Sequence, residues 1–338
     1  MPDRERNLPI SWNLFQRLTT VLSLLVLISG MALAAVETAA AKDIEQIREL
    51  KVDLTPEERQ WLETHQVIEL GIDPGFAPFE FVDENGTYRG IAADYVELIQ
   101  PMLGITMRVS AGLPWHEVVE KARKHEIDIL PCVGRNRERE GYLLFTNPYL
   151  SFPRVVFTRK SGMGPTSQED LARFTVGVQE SSSHHGWIKE NTNILPILYP
   201  TAQDAMLALS NGEIQAAVGN LAASSYIIKH LNLGNLKVAF PLSGGPQELA
   251  FGVRKDWPEM VSILNKTLAA VPLTKAVAIR RKWVDPESEK SLEGQLQYTW
   301  AFGHWVGPNQ EVVIDGEVLR NGAILRLRTM FLALKTSF

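Results

Sequence analysis

The stretch from Val67 to Tyr95 constrains the fold of this chain more than any other part of it. It opens with the short apolar run Val67–Ile72, which has the β-branched residues of a buried strand and stops at an Asp-Pro-Gly sequence. A loop rich in phenylalanine follows, then a turn at Asp83–Gly86, and then a helix that begins after Gly90. This order predicts a strand, a loop, a tight turn and a helix in an α/β unit.

The loop after this strand is the first candidate for a binding surface. Ligands of open α/β sheets bind outside the carboxyl ends of the strands, so aromatic and acidic residues there predict one wall of a small-molecule cleft. A place in the core is an equally good interpretation for each phenylalanine taken alone. The side chains expected in the wall are Asp73, Phe76 and Phe79.

Further strands and helices alternate along the chain up to about residue 283. Short connections between these strands favour parallel βαβ units. The strand at 174–178 starts a second group of such elements after the first group has ended. The pattern predicts an α/β fold in which a second unit is inserted into the first.

Composition excludes several classes of function. The formal net charge of −5 over 338 residues argues against general nucleic-acid binding. Cys132 is the single cysteine, so an internal disulfide is impossible, and His184-His185 has no metal-ligand partners at useful spacing. The chain has no P-loop and no dinucleotide fingerprint. We therefore predict no metal, no cofactor and no nucleic-acid partner.

The first 35 residues have the pattern of a secretory signal peptide. A polar lead containing arginines precedes an apolar run over Leu18–Ala35, and Ala32-Leu33-Ala34 resembles a cleavage site. We expect a periplasmic protein, with a linker and a lead-in helix over residues 36–66. The alternative is an uncleaved membrane anchor, because the apolar run approaches spanning length.

The lead-in segment Leu54–Leu62, together with Val67–Tyr95, resembles the opening of the family 3 bacterial solute-binding proteins. These are periplasmic binding proteins of type II, also called Venus-flytrap domains. The pattern is closest to the flytrap domains of bacterial sensor kinases and diguanylate cyclases. The resemblance extends to Trp283 and implies a two-lobed α/β fold with a two-strand hinge that closes on a ligand.

The resemblance also implies domain boundaries. Lobe 1 is expected at residues 67–157 plus 247–283, and lobe 2 at 158–246. The two crossings between lobes are expected at Phe152–Phe157 and Gln247–Val253. Residues 284–338 are a tail of open role, in which Asp-Gly and Asn-Gly pairs predict short β-hairpins. Sensor relatives usually continue into a membrane helix, so a remnant of such a sensor is an alternative origin for the tail.

The resemblance implies a ligand site as well. Arg139 precedes Phe145–Tyr149 at the spacing of the family's carboxylate-binding arginine, and a guanidinium binds a carboxylate through two parallel bonds. Ser182 matches a small-residue turn that binds carboxylates at a helix N-terminus. The alternatives are a solvated basic loop for Arg139 and a simple N-cap for Ser182. Asn220 matches a position where amino-acid-binding members often carry Asp, and Trp115 is expected in the apolar wall.

These features predict a monomeric periplasmic protein that closes on a small polar metabolite, for uptake or for signalling, and that is not an enzyme. The expected ligand carries a carboxylate, as amino acids and organic acids do. The expected protein partner is an ABC transporter permease or a membrane sensor. The alternative is a periplasmic enzyme on the same fold, similar to cyclohexadienyl dehydratases, with an acid among Glu80, Glu180 and Glu248.

Overall fold

The computed structural model describes residues 50–110 and 112–284, together with the backbone of four strands between residues 301 and 328. The predicted signal segment, most of the linker after it and residues 285–290 lie outside these ranges. None of the helices in the described ranges has the length and apolar character needed to cross a membrane. These helices are α1 (Pro56–Thr64), α2 (Ile91–Leu103), α3 (Trp115–Arg123), α4 (Ser183–Asn191), α5 (Ala202–Asn211), α6 (Leu221–His230), α7 (Pro258–Ala270) and α8 (Leu273–Trp283).

The strands form two main sheets and several small ones. In chain order they are β1 (Val67–Gly71), β2 (Gly75–Phe76), β3 (Glu80–Val82), β4 (Tyr88–Arg89), β5 (Thr106–Ser110), β6 (Ile129–Gly134), β7 (Leu143–Phe145), β8 (Leu150–Phe152), β9 (Arg154–Arg159), β10 (Val176–Gln179), β11 (Ile197–Tyr199), β12 (Ala216–Asn220), β13 (Leu236–Pro241), β14 (Gln247–Arg254), β15 (Ala301–Trp305), β16 (Glu311–Ile314), β17 (Glu317–Arg320) and β18 (Ile324–Arg328).

The first lobe is built on a six-stranded sheet in the order β5-β1-β6-β14-β7, with β8 also paired to β14. Strands β5, β1 and β6 are parallel, whereas β14 runs antiparallel to its neighbours. All six residues of β6 are buried, which is typical of a central strand covered on both faces. The carboxyl end of β6 therefore lies near the middle of the sheet edge that is formed by the strand ends.

The second lobe is built on a five-stranded sheet in the order β11-β10-β12-β9-β13. Strands β11, β10 and β12 are parallel, and β9 and β13 complete the sheet in antiparallel register. The lobe has its own apolar core, which includes Val156, Val178, Trp187 and Ile188. Two α/β sheets, the second contained within the sequence of the first, confirm the predicted two-lobed fold.

The first crossing between the sheets lies at Pro153, inside the predicted range Phe152–Phe157. Phe152 is the last residue of β8 in the first sheet, and Arg154 already pairs with Asn220 in the second. Pro153 between them has no backbone N–H to donate to a ladder, so a change of sheet at this residue costs no hydrogen bond. Residues 154–157 thus belong to the second sheet, not to lobe 1. The second crossing lies between β13 and β14, before the predicted range Gln247–Val253, because all of β14 already pairs within the first sheet.

Local signals account for the ends of several helices. Thr55 caps α1 in a capping box, in which its hydroxyl accepts from Glu58 N and its own N–H donates to the Glu58 carboxylate. Gly212 ends α5 in the left-handed conformation at a φ of 86°. Pro272 separates α7 from α8, because a proline inside a helical pattern removes a backbone hydrogen bond.

The described strands of the tail form two separate antiparallel pairs. Strands β16 and β17 pair in antiparallel register, with Ile314 opposite Glu317. Strand β18 pairs with β15, whereas the Asn-Gly pair before β18 had predicted a hairpin with β17. An Asn-Gly pair favours a two-residue hairpin turn, but it does not determine the partner of the strand that follows.

Candidate functional site

The candidate site is a cleft at the carboxyl ends of strands from both lobes. Gly134 ends β6 and Gln179 ends β10, while Asp73 lies two residues beyond β1, and all three line the cleft. The cleft has an empty volume of about 320 Å³, which includes space open to solvent. Its position follows the general rule for ligand sites of open α/β sheets.

Arg139 lies in a short 3-10 turn, Arg139–Gly141, and is only 3% exposed. Its Nη1 donates to the Gly134 carbonyl oxygen at 2.6 Å, and its Nη2 donates to the Ser181 carbonyl oxygen at 2.7 Å. Burial lowers the pKa of the guanidinium from its ordinary value. The interpretation of this loop as uniformly solvated is therefore wrong for Arg139, although it fits Arg135 and Arg137, which are exposed.

The bond from Arg139 to Ser181 joins the two lobes, and Trp115 makes a second bond of this kind. The Trp115 indole Nε1 donates to the same Ser181 carbonyl oxygen at 3.1 Å. The guanidinium carbon of Arg139 lies 5.5 Å from the centre of the Trp115 ring. Ser181 itself has a φ of 56°, an uncommon conformation for serine, which turns the chain into α4. One backbone carbonyl of lobe 2 thus accepts from two side chains of lobe 1.

Asp73 provides a third contact between the lobes. Its Oδ1 accepts from Gly75 N at 3.0 Å, and its Oδ2 accepts from the Gln179 side-chain Nε2 at 2.9 Å. Burial raises the pKa of the Asp73 carboxyl above its ordinary value, and the hydrogen bonds from Gly75 and Gln179 oppose that effect. In this structure the cleft is therefore bridged by the protein's own hydrogen bonds.

Ser182 lines the cleft and also caps α4. Its Oγ accepts from His185 N at 3.1 Å and donates to the Gln179 carbonyl oxygen at 2.8 Å. Both bonds are local, so the N-cap interpretation describes this hydroxyl in the structure. The neighbouring Ser183 has a different partner, because its Oγ accepts from the Gln247 side-chain Nε2 at 2.6 Å.

Asn220 does not line the cleft, contrary to the prediction. It is 2% exposed, and its Oδ1 caps α6 by accepting from Ala222 N and Ala223 N. Its amide donates to Gln247 Oε1 at 2.7 Å, so the chain Asn220–Gln247–Ser183 is a buried network beside the crossing. The side chain is fully used for the fold because a neutral amide can cap a helix and donate at once.

Phe79 was also wrongly assigned to the cleft wall. It is fully buried, with its ring centre 4.7 Å from that of Phe76 and 4.8 Å from that of Phe152. Of Phe76 and Phe79, only Phe76 lines the cleft. The core interpretation, which the sequence left open for each phenylalanine, applies to Phe79, because its ring is fully buried in contact with those of Phe76 and Phe152.

The acids considered for an enzymatic role do not line the cleft. Glu180 and Glu248 are exposed, whereas Glu80 is 1% exposed and lies behind Asp73, whose N–H donates to Glu80 Oε1 at 3.0 Å. Burial raises the pKa of Glu80 well above its ordinary value. His184 and His185, in the first turn of α4, are both buried, at 5% and 8% exposure.

Several residues that line the cleft were missed. Gln179 had a usable signal, because it is the last residue of a short apolar strand and so lies at the ligand edge of the sheet. Ser183 and His184 are the first two residues of α4. At the N-terminus of a helix, the sequence favours a structural role over a binding one. Gln247 follows a glycine-rich turn far along the chain, and nothing local points to the cleft.

The model of the bacterial extracellular solute-binding proteins, family 3, matches residues 68–286. This chain belongs to that family. The matched span contains both sheets and the cleft between them. The crystal structure of the Bordetella pertussis BvgS periplasmic VFT2 domain has a TM-score of 0.62 at 26% identity and covers 69% of this chain and 100% of the domain.

Relatives of this family 3 protein include sensors and transport proteins. The virulence sensor protein BvgS of Bordetella pertussis is 27% identical over 237 residues, which cover 67% of this chain but 18% of the sensor. The sensor protein EvgS of Escherichia coli K12 is 26% identical and is covered to 19%. The chain thus spans about a fifth of these sensors. The ABC transporter arginine-binding protein 1 of Escherichia coli K12 is 25% identical, covering 60% of this chain and 84% of that protein.

Proposed function

We propose that this protein binds a small carboxylate-bearing metabolite in the cleft and changes the contact between its lobes when it does so. The observation that carries the proposal is the buried guanidinium of Arg139, held 2.7 Å from a carbonyl oxygen of the opposite lobe. A charged group buried in a cleft between two lobes is costly without partners, and a carboxylate is the partner that its planar fork fits best. The function is binding without turnover.

The ligand competes with bonds that the protein makes to itself. Gln179 occupies one oxygen of Asp73, and the Ser181 carbonyl occupies one edge of Arg139. A ligand that enters must replace at least one of these bonds, and it then shifts the balance between lobe arrangements by its difference in affinity for them. Ligand binding and lobe contact are therefore coupled through the same atoms.

We favour signalling over uptake because of a contact at the end of lobe 1. Asp94 accepts from Lys282 Nζ and from Trp283 Nε1 at 2.8 Å each, which holds the end of α8 against α2. The ring of Phe81 lies 5.6 Å from Trp283 and 6.4 Å from Tyr226 of lobe 2, measured between ring centres. A movement of lobe 2 can therefore be transmitted through Phe81 to Trp283, at the end of α8 in lobe 1. In this proposal the protein partner is a membrane sensor.

Uptake through an ABC transporter permease is the second candidate, and the arginine-binding relatives favour it. We further propose that the protein reaches the periplasm through its N-terminal signal, as its periplasmic relatives suggest. Fractionation of the native host tests the location: the chain is expected in the periplasmic fraction, and its recovery in the cytoplasm would contradict export.

The test of ligand binding is a thermal-unfolding screen of the purified protein with amino acids, dicarboxylates and polyamines. A ligand at 100 times its dissociation constant adds about 2.7 kcal/mol to the free energy of unfolding. We expect carboxylates to give the largest shifts. Stabilisation by polyamines alone, or by no compound in the screen, would contradict the proposal.

Hydrogen exchange then separates signalling from uptake. With the ligand bound, amides of α8 are expected to change their exchange rate in the wild type and to change less in Phe81→Ala, which lacks the ring between Trp283 and Tyr226. Tyr199→Ala, at an exposed strand of lobe 2, is a control for loss of an aromatic ring. Unaltered exchange in α8 would favour uptake.

A further inference from the structure

His184 lies in the first turn of α4, lines the cleft and is 5% exposed. Its Nδ1 accepts a hydrogen bond from Arg154 Nε at 3.1 Å. Its Nε2 is buried and has no hydrogen-bond partner within the described part of the chain. An unpaired buried polar atom costs about 1–3 kcal/mol, so such an atom in the wall of a binding cleft points to a ligand.

The bond from Arg154 determines which nitrogen of His184 carries the proton. A guanidinium can only donate, so Nδ1 must present its lone pair and the single proton of the neutral ring lies on Nε2. Burial, together with the positive charges of Arg154 and Arg139, holds the pKa of His184 well below its ordinary value, so the ring stays neutral. His184 is therefore a fixed Nε2–H donor in the cleft.

The surroundings of His184 favour an acceptor. Arg139 lines the same cleft, and the N-terminus of α4, where His184 is the second helical residue, carries the positive end of the helix dipole. Asp73 is the one acidic side chain among the described residues that line the cleft, and both of its oxygens already accept hydrogen bonds. Asn220 is neutral, and its amide donates to Gln247 Oε1.

We propose that His184 is a specificity-determining residue whose Nε2–H donates to an oxygen of a small dicarboxylate, with Arg139 binding the other carboxylate. The inference rests on the proposed function and names the ligand class for the same cleft. Arg154 is a positioning residue, because it fixes the tautomer of His184. An α-ammonium group would meet donors here, and the one carboxylate it could reach among the described lining residues is Asp73, whose oxygens already accept from Gly75 and Gln179. Amino acids therefore bind more weakly than dicarboxylates of similar size.

The test uses succinate as the probe, with arginine and putrescine as cationic comparisons, in calorimetric titrations of the purified protein. Loss of one hydrogen bond to a charged oxygen corresponds to a fall in affinity of about 10- to 100-fold. We expect this fall for succinate in His184→Phe, which keeps a ring without a donor. His184→Gln keeps a donor and is expected to retain most of the affinity, and thermal unfolding without ligand shows whether each variant is folded.

A second measurement is independent of ligand affinity. Nitrogen-15 NMR of histidine-labelled protein, with His184→Gln to assign the signal, should show His184 with a proton on Nε2 and none on Nδ1. In Arg154→Met, Nδ1 loses its hydrogen-bond donor, so the His184 signals should no longer show the proton on Nε2 alone. When succinate is added to the wild type, the Nε2–H signal should move.

The outcomes distinguish this inference from the proposed function. If arginine binds and succinate does not, the dicarboxylate assignment is wrong while the proposed function stands. If putrescine alone binds, the proposed function fails as well. If no compound binds, both fail. Equal succinate affinity in the wild type and His184→Phe, or a proton on Nδ1, would overturn the role of His184.

Discussion

The direct contact between the lobes gives the most specific prediction. Removing the Gln179 and Trp115 donors with Gln179→Leu/Trp115→Phe deletes the bonds to Asp73 and to the Ser181 carbonyl, at 2.9 and 3.1 Å. The first bond has a charged acceptor and is worth about 1.5–3 kcal/mol, and the second, between neutral groups, about 0.5–1.5 kcal/mol. The closed arrangement should therefore lose about 2–4.5 kcal/mol relative to an open one.

This loss changes the ratio of closed to open molecules by a factor of about 30 to 2,000, since each 1.4 kcal/mol is a factor of ten. The Arg139 bond to Ser181 remains and limits how far the lobes separate. Small-angle scattering without ligand should show a larger radius of gyration for the variant than for the wild type.

The matched control changes the same residue types within single lobes. Gln215→Leu removes bonds to Thr175 inside lobe 2, and Trp257→Phe alters a contact with Trp61 inside the first lobe and its lead-in helix. The control double variant should keep the radius of gyration of the wild type. Equal radii for the cleft variant and the wild type would refute the reasoning that these bonds hold the lobes together.

Three further predictions concern the stability of the fold. Arg139→Met removes two hydrogen bonds from a charged donor, worth about 3–6 kcal/mol, but it also removes the cost of burying the charge. Urea unfolding should therefore show a net loss of about 1–3 kcal/mol in the free energy of unfolding. The same change at the exposed Arg137 should alter that free energy little. Gly90 has a φ of 116°, and a Cβ there would overlap a backbone carbonyl oxygen, so Gly90→Ala should cost about 3 kcal/mol or more in the same assay. Gly86→Ala, which has a φ of 77° but open space, should cost about 1 kcal/mol. The raised pKa of Glu80 means that the folded protein binds a proton more tightly than the unfolded chain, so its contribution to stability is present at low pH and is lost as the pH rises. Glu80→Gln, which stays neutral, should therefore have a higher free energy of unfolding than the wild type at pH 8. The difference between the two proteins should be smaller at pH 4.5.

Each of these predictions has a clear contrary result. Equal stability of Arg139→Met and Arg137→Met would mean that the buried guanidinium contributes nothing beyond its burial cost. Equal losses in the two glycine variants would mean that overlap at Gly90 is relieved by backbone movement. A stability difference between Glu80→Gln and the wild type that does not vary with pH would show that Glu80 titrates normally in the folded state.

Much of the fold follows from short-range sequence signals. The strand before Asp73 and the lead-in helix after Thr55 depend on neighbouring residues, and the sequence predicted both. The helix α6 was missed, although Asn220 before an apolar segment is an N-cap signal. Its small residues, such as Ala222, Ala223 and Ser224, lack the clear apolar spacing that identifies a helix.

The site was less predictable because its contacts join distant parts of the chain. Arg139 was found through its spacing before a recognisable segment, but its partner Ser181 is 42 residues away. The Asp73–Gln179 bond spans 106 residues and exists only where the lobes meet. Asn220 illustrates the opposite case, since its position matched a binding residue while its amide serves a local cap. Such pairings depend on how the lobes close, which no local pattern specifies.

The most direct test of the central claim is calorimetric titration of the carboxylate that stabilises the protein most into the wild type and variants of Arg139. If Arg139 holds the ligand's carboxylate, Arg139→Met should cost about 2–5 kcal/mol of binding free energy. Arg139→Lys should restore part of the affinity, because an ammonium has the charge without the fork. Arg135→Met and Arg137→Met, in the same loop but exposed, should bind like the wild type. Equal, small losses in all three methionine variants would show a diffuse basic loop and would contradict the account.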